Sequence, residues 1–277
     1  MTIEGKKTPG SADSLSTHSG FSLISDEKLV EIYSTMLRCR LIEKHIGAAP
    51  ARVAAIAGVA IDLLATDTLA PAQGALIPCY VKGLSLAALL SIHAGAKPAP
   101  RPNYAALGLI PPSFTFARQL ERSLAAAVAD RSKKSKRIAV VFCGSSSAVS
   151  GELADAMKQA GKKKLPMLFV HESGIEEEDA EASASKFGFP AITVDGDDAV
   201  AVYRVATEAM AHARRGSGPT LIECKPWPHG TTDRRGRNAG GDPIRNMEAY
   251  LTRKGLFSKK LKSGVTASFR RELVACL

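Results

Sequence analysis

The chain has 277 residues, 45% hydrophobic and 5% aromatic, a size and balance for one large α/β domain or two small ones. No apolar run reaches the length of a membrane span, and residues 1–22 lack the apolar core of a secretory signal. The formal net charge of +10 comes in short patches at 131–137, 162–164, 234–237 and 259–262, with no interleaved aromatics. Such patches suit plain solubility, or docking to an acidic partner, better than a nucleic acid.

Residues 1–27 read as a disordered lead rich in Ser, Thr, Gly and Lys. Ser25 or Asp26 caps a helix over 28–45, whose apolar residues Leu29, Ile32, Met36, Leu37, Leu41 and Ile42 recur at helical spacing. The Ala-rich stretch 51–64 is apolar nearly all round and predicts a buried helix. A loop over 66–78 follows, then a helix over 84–94 that Gly95 stops. The prolines at 98, 100 and 102 exclude helix there, and Pro111-Pro112 marks another break. A helix over 116–130 leads into the apolar run 138–143, a buried strand.

A helix over 151–159 and a second strand over 165–170 complete a strand–loop–helix–strand unit. An acidic stretch, 174–185, is loop then helix. Residues 191–194 form a short strand. Asp197 or Asp198 caps a helix over 199–214, and Gly216-Ser217-Gly218-Pro219 ends it. The strand 220–224 and a helix over 244–254 come last, before a basic tail. Strands separated by crossover helices imply a parallel sheet covered on both faces.

Five cysteines, Cys39, Cys79, Cys143, Cys224 and Cys276, are odd in number and too scattered for a metal knuckle. They predict buried free thiols in a reducing compartment, hence a cytoplasmic protein.

Gly144-Ser145-Ser146-Ser147 follows the strand over 138–143, at the place where open α/β sheets bind phosphates. The loop carries no carboxylate for a metal. Its hydroxyls could hold a phosphate directly, or simply fill space.

The stretches 164–170, 189–198, 218–223, 229–233 and 242–256 together resemble motifs of the alpha subunits of thiamine-diphosphate-dependent 2-oxo-acid dehydrogenases. Lys164-Leu165-Pro166-Met167-Leu168-Phe169-Val170 is similar to their K-L-P-V-L-F-V strand. Residues 189–198 resemble their I-P-x-x-x-V-D-G-x-D turn, with Phe189 in place of Ile, and Gly218-Pro219-Thr220-Leu221-Ile222-Glu223 their G-P-T-L-I-E strand. His229-Gly230-Thr231-Thr232-Asp233 resembles H-T-T-x-D, and 242–256 resembles D-P-I-x-x-x-x-x-Y-L-x-x-x-G-L. Upstream, Tyr33, Met36, Arg40 and Glu43 are similar to the opening Y-x-x-M-x-x-x-R-x-x-E helix.

The resemblance implies a three-layer parallel-sheet α/β domain over 28–257, between the lead and a basic tail at 258–277. It implies thiamine diphosphate held through magnesium, and a beta-type partner subunit that completes the site, with self-association as the other assembly. The family's ion ligands are the Asp of G-D-G and the second Asn of E-N-N. Here G-D-G falls on Gly144-Ser145-Ser146 and E-N-N on Glu172-Ser173-Gly174, so the ligand positions hold Ser145 and Gly174. No metal-ligating residue is assigned. The family's G-Q-E-A Glu falls on Val53, and its Y-R-D-H-G loop on Ala70-Pro71-Ala72-Gln73-Gly74. Of the polar constellation His229, the implied catalytic residue, and Asp233 remain.

Magnesium needs oxygen ligands, usually with at least one carboxylate; a serine hydroxyl and a bare glycine do not supply that charge. Two readings follow: a non-catalytic assembly or regulatory subunit, or an active oxidoreductase subunit that decarboxylates a 2-oxo acid together with a beta-type chain. Several residues take plain structural readings beside these. His171 ends a strand as a structural residue, and Glu172 binds backbone amides. Glu176 to Asp179 are a solvated helix start, and Asp195 to Asp198 a tight turn and helix cap. His229 stands open between proton donor and loop structure.

Overall fold

A computed structural model describes residues 24–48, 52–112, 114–144, 151–172, 184–225 and 241–276. The chain begins with helix α1 (Asp26–Ile46), which Ser25 caps by accepting a 3.2 Å hydrogen bond from the Lys28 amide. Asp26 and Glu27 in its first turn, and Lys44 and His45 in its last, complement the helix dipole. The Ala-rich stretch forms α2 (Val53–Ala60), buried along its whole length. It is shorter than expected, because turns around Asp62 and Asp67 end it.

Next comes β1 (Thr68–Ala70), a strand where the sequence reading placed a loop. Three residues are too few for a visible apolar alternation. Pairing with β2 and a single parallel bridge from Leu69 to Leu109 hold it in place. Two short helices follow, α3 (Ile77–Val81) and α4 (Leu86–His93), then the longer α5 (Phe116–Ser132). β2 (Ala139–Cys143), α6 (Gly151–Lys162) and β3 (Met167–His171) form the central crossover unit. The chain continues through β4 (Ala191–Asp195), α7 (Ala199–Arg214), β5 (Thr220–Lys225) and α8 (Pro243–Arg253).

The stretch expected as a basic tail carries a helix, α9 (Lys259–Val274), capped by Ser258. Phe269 is buried, and Leu261, Val265 and Leu273 pack against the core beside it. Arg38 of α1 binds Glu272 of α9 at 2.5 Å and Ser268 at 2.9 Å.

The five strands are parallel, in the order β1-β2-β3-β5-β4. Side chains alternate between faces. Val140, Phe142, Leu168, Val170 and Ile222 meet α1, α2 and α7 on one face. Ala139, Val141, Met167, Phe169 and Leu221 meet α5 and α6 on the other. The result is three layers, as expected. Full burial of each large side chain contributes about 1.5–3 kcal/mol, so the two cores, rather than surface charge, fix the layer order.

Candidate functional site at the strand tips

Parallel strands end on one edge, and that edge is where open α/β sheets place ligands. Here it gathers Gly144 after β2, Glu172 after β3, Lys225 at the end of β5 and Asp195 at the end of β4. Register pairing sets Cys143, His171, Glu223 and Thr193 in one transverse row.

Glu223 is the hub of that row. Its side chain is fully buried, with His171 Nδ1 3.8 Å from one oxygen and Lys225 Nζ 3.3 Å from the same one. Thr193 donates to the other at 3.2 Å. A buried carboxylate needs such partners. This row is a structural brace beneath the edge, which agrees with the plain reading of His171.

Glu172 points to the opposite face. Burial pushes its carboxyl up to about 7; the Arg52 guanidinium at the start of α2 opposes the shift and Glu43 of α1 adds to it. Cys143 and Cys224 are buried, and burial, with the Glu172 charge beside each, pushes both thiols up. Neither is a nucleophile at neutral pH. Glu43 in turn accepts from Arg40 at 3.0 Å, and Arg40 reaches Asp242, the cap of α8, at 3.4 Å. A charged chain therefore runs from the first helix to the edge of the sheet. Arg52 escaped the sequence reading because a lone Arg among alanines looks like a helix end.

Asp195 to Asp198 form the expected turn and cap. Asp195 accepts from the Asp197 amide at 3.0 Å, and Asp198 accepts from the amides of Val200 and Ala201. Gly144 sits at the tip of β2, where a Cβ would lie 3.6 Å from the Ala72 methyl. Val53, at the family's Glu position, is fully buried in the first turn of α2. Ser145, Ser146, Ser147, Ser173, Gly174, Glu176 to Asp179, His229 and Asp233 lie outside the described residues. Among the described residues, no group of three or more His, Cys, Asp or Glu side chains could hold a metal ion.

The fold is of the class found in transketolase. A transketolase structure from Pichia stipitis superposes with a TM-score of 0.55 at 17% identity, covering 91% of this chain and 44% of that one. Residues 103–274 match the model of the dehydrogenase E1 component family, and the chain belongs to that family. Among its relatives, the alpha subunit of 2-oxoisovalerate dehydrogenase from Bacillus subtilis is 26% identical over 284 residues, with 86% of each chain covered. The alpha subunit of 3-methyl-2-oxobutanoate dehydrogenase from Mycobacterium tuberculosis is 32% identical over 180 residues, which is 57% of this chain and 49% of that one. The motifs from Lys164 onward pointed to the same family.

Proposed function

We propose that this chain is a divergent alpha-type subunit of a 2-oxo-acid dehydrogenase that has lost its own magnesium–diphosphate site and serves assembly or regulation. The observation that carries this is the donor set at the two ion-bearing strand tips. Ser145 supplies a neutral hydroxyl and Gly174 supplies no side chain, where the family has Asp and Asn. Magnesium gives up its water only for strongly charged, well-placed oxygens.

The neighbouring residues do not make up the loss. Gly144 brings no side chain and stands against the methyl of Ala72, and the loop at 70–74 that carries Ala72 lacks the family's Tyr and Arg. Glu172, two residues before Gly174, is a carboxyl that burial holds half-protonated near pH 7 while Arg52 competes for its charge. The residues present do not fit a resident magnesium–thiamine diphosphate.

The fold from 28 to 257, on this reading, keeps the surfaces that meet a beta-type subunit or a second copy. All five thiols are free, four of them buried, which supports a reducing, cytoplasmic setting. No helix among the described residues is long and apolar enough to cross a membrane.

Titration calorimetry tests the proposal, with magnesium and thiamine diphosphate added to the chain alone and to the chain co-expressed with a beta-type subunit. The expected result is no saturable binding assignable to this chain. Tight binding that Ser145→Ala abolishes overturns it. Decarboxylation of a 2-oxo acid that requires His229 would instead establish the active-subunit reading.

A further inference from the structure

Parallel strands that end on one edge begin on the other, and here the segments leading into three neighbouring strands are basic. Residues 131–137 lead into β2, 162–164 into β3, and 214–215 close α7 ahead of β5. The three strands are adjacent in the order β2-β3-β5, each about 4.8 Å from the next. Direct contacts draw the segments together. Arg131 donates to the Lys164 carbonyl at 2.8 Å, and Arg214 to the Lys136 carbonyl at 2.9 Å. A Cβ on Gly218, two residues before β5, would lie 3.7 Å from Lys164 Cα. Runs of charge that are separate in the chain therefore form one face.

The fold supplies almost no acid to this face. Of the ten basic side chains in the three segments, Arg137 pairs with Asp130 and Arg214 with Asp67. The other eight are exposed, and none makes an ion pair with a carboxylate among the described residues. The two acids present are already engaged: the Asp67 side chain has no exposed surface and that of Asp130 has 10%. Basic residues elsewhere do find acids, as Lys262 of α9 does with Glu248 and Lys28 of α1 with Asp62. Like charges closer than the screening length, about 8 Å at physiological salt, repel one another, so such a face gains from an anionic partner.

The surroundings select the kind of anion. The three segments hold no aromatic side chain on which a base could stack, which disfavours a single-stranded nucleic acid. Leu64, 52% exposed, borders the face: its amide and Arg214 bind the same oxygen of Asp67. Val128, 38% exposed, lies one turn before Arg131 in α5. Two isolated aliphatic side chains are too few for a membrane surface, where a helix buries a continuous apolar face. They suit a polypeptide that carries apolar side chains beside its carboxylates. We infer that this face, at the starting edge of the sheet, is a docking surface for an acidic segment of a partner protein, with an apolar side chain of that segment against Leu64. It lies on the edge opposite the strand tips, so its occupation is independent of whether those tips hold a cofactor.

The test uses the full chain and a fluorescein-labelled peptide of glutamates and aspartates with one central leucine, followed by fluorescence anisotropy at two salt concentrations. The expected result is saturable binding that salt weakens. Lys133→Glu, Lys136→Glu and Lys163→Glu together should weaken it on the order of tenfold or more. The same change of charge placed on α9, as Lys259→Glu, Lys260→Glu and Arg270→Glu, should leave it within about twofold. Leu64→Ser should remove the preference for this peptide over one with serine at its centre. Circular dichroism checks that each variant is folded. If the triple reversal does not fold, Lys133→Gln, Lys136→Gln and Lys163→Gln should weaken binding in the same direction. A peptide that does not bind overturns the inference. So does an equal loss from the two triple reversals, which would reflect net charge alone. An RNA oligonucleotide of the same charge, or phosphatidylserine vesicles, bound more tightly than the peptide and lost in the first triple variant, would assign the face to nucleic acid or lipid instead.

Discussion

Arg214 grips Asp67 through two parallel hydrogen bonds, Nη1 to Oδ1 at 2.9 Å and Nη2 to Oδ2 at 2.6 Å. Asp67 has no exposed side-chain surface and also accepts from the amides of Leu64 and Ile138. One carboxylate thus ties the end of α7 to the starts of β1 and β2. Breaking a buried pair from one side costs about 3–5 kcal/mol, because the remaining charge is stranded. Arg214→Ala is expected to destabilise the protein by about that amount. Arg214→Lys should also destabilise, though less, since lysine cannot make the paired contact. Urea denaturation followed by circular dichroism measures both.

Gly58 sits in the middle of α2 where that helix crosses α7. A methyl there would lie 2.8 Å from Val202 Cγ1 and 3.0 Å from the Tyr203 amide nitrogen. Overpacking of this kind costs about 1–3 kcal/mol, while alanine's helix preference returns about 1 kcal/mol. The Tyr203 contact is backbone and cannot rotate away, so the clash wins. Gly58→Ala should lower the melting temperature; Val202→Ala in the same chain should recover part of the loss.

Glu172 gives stability a defined pH response. Its carboxyl titrates near 7 in the folded protein, pushed up by burial from an unfolded value of 4.5. Between those values the folded state holds more proton than the unfolded state, so this group's contribution to stability falls as pH rises and levels off above about 7. Glu172→Gln removes the ionisable group. The variant should match the parent near pH 4.5 and melt higher than the parent at pH 8. Melting curves at a series of pH values would refute this if the difference between the two proteins were constant.

The five thiols should separate by access. Cys39, Cys79, Cys143 and Cys224 are buried, and burial pushes each of them up in pKa. Cys276 is partly exposed at the end of α9, and among the thiols its upward shift is the only one that arises without full burial. Native alkylation with iodoacetamide, read by peptide mass spectrometry, should mark Cys276 first. The other four should react only when the chain unfolds.

Ser145→Asp together with Gly174→Asn restores an anion and a carbonyl oxygen to the two ion-bearing positions. The double variant should gain magnesium-dependent affinity for thiamine diphosphate of about tenfold or more over the parent. No gain by calorimetry would show that the loss of the Tyr and Arg from the loop at 70–74 is the larger defect.

The layers were legible in the amino-acid order because β2 and β3 fall in apolar runs, Ile138 to Cys143 and Leu165 to Val170, and the Leu221-Ile222 core of β5 follows the Gly218-Pro219 turn signal. β1 was not, since Thr68-Leu69-Ala70 is short, precedes a proline and takes its place only by pairing with β2. Helix α9 was hidden by its charge. Leu261, Val265, Phe269 and Leu273 recur every fourth residue, but the basic residues Lys259, Lys260, Lys262, Arg270 and Arg271 among and before them dominate the composition. At the strand tips, motif spacing located Gly144 and Glu172, whereas the approach of Arg52 and Glu43 to Glu172 depends on how α1 and α2 cross the sheet. No local pattern encodes that crossing.

The clasp between Arg38 and Glu272 joins positions 234 apart in the chain. During synthesis the first helix leaves the ribosome long before its last neighbour exists. Part of its oily stripe stays open to water until α9 emerges, and a nascent chain in that interval is a natural client for chaperones.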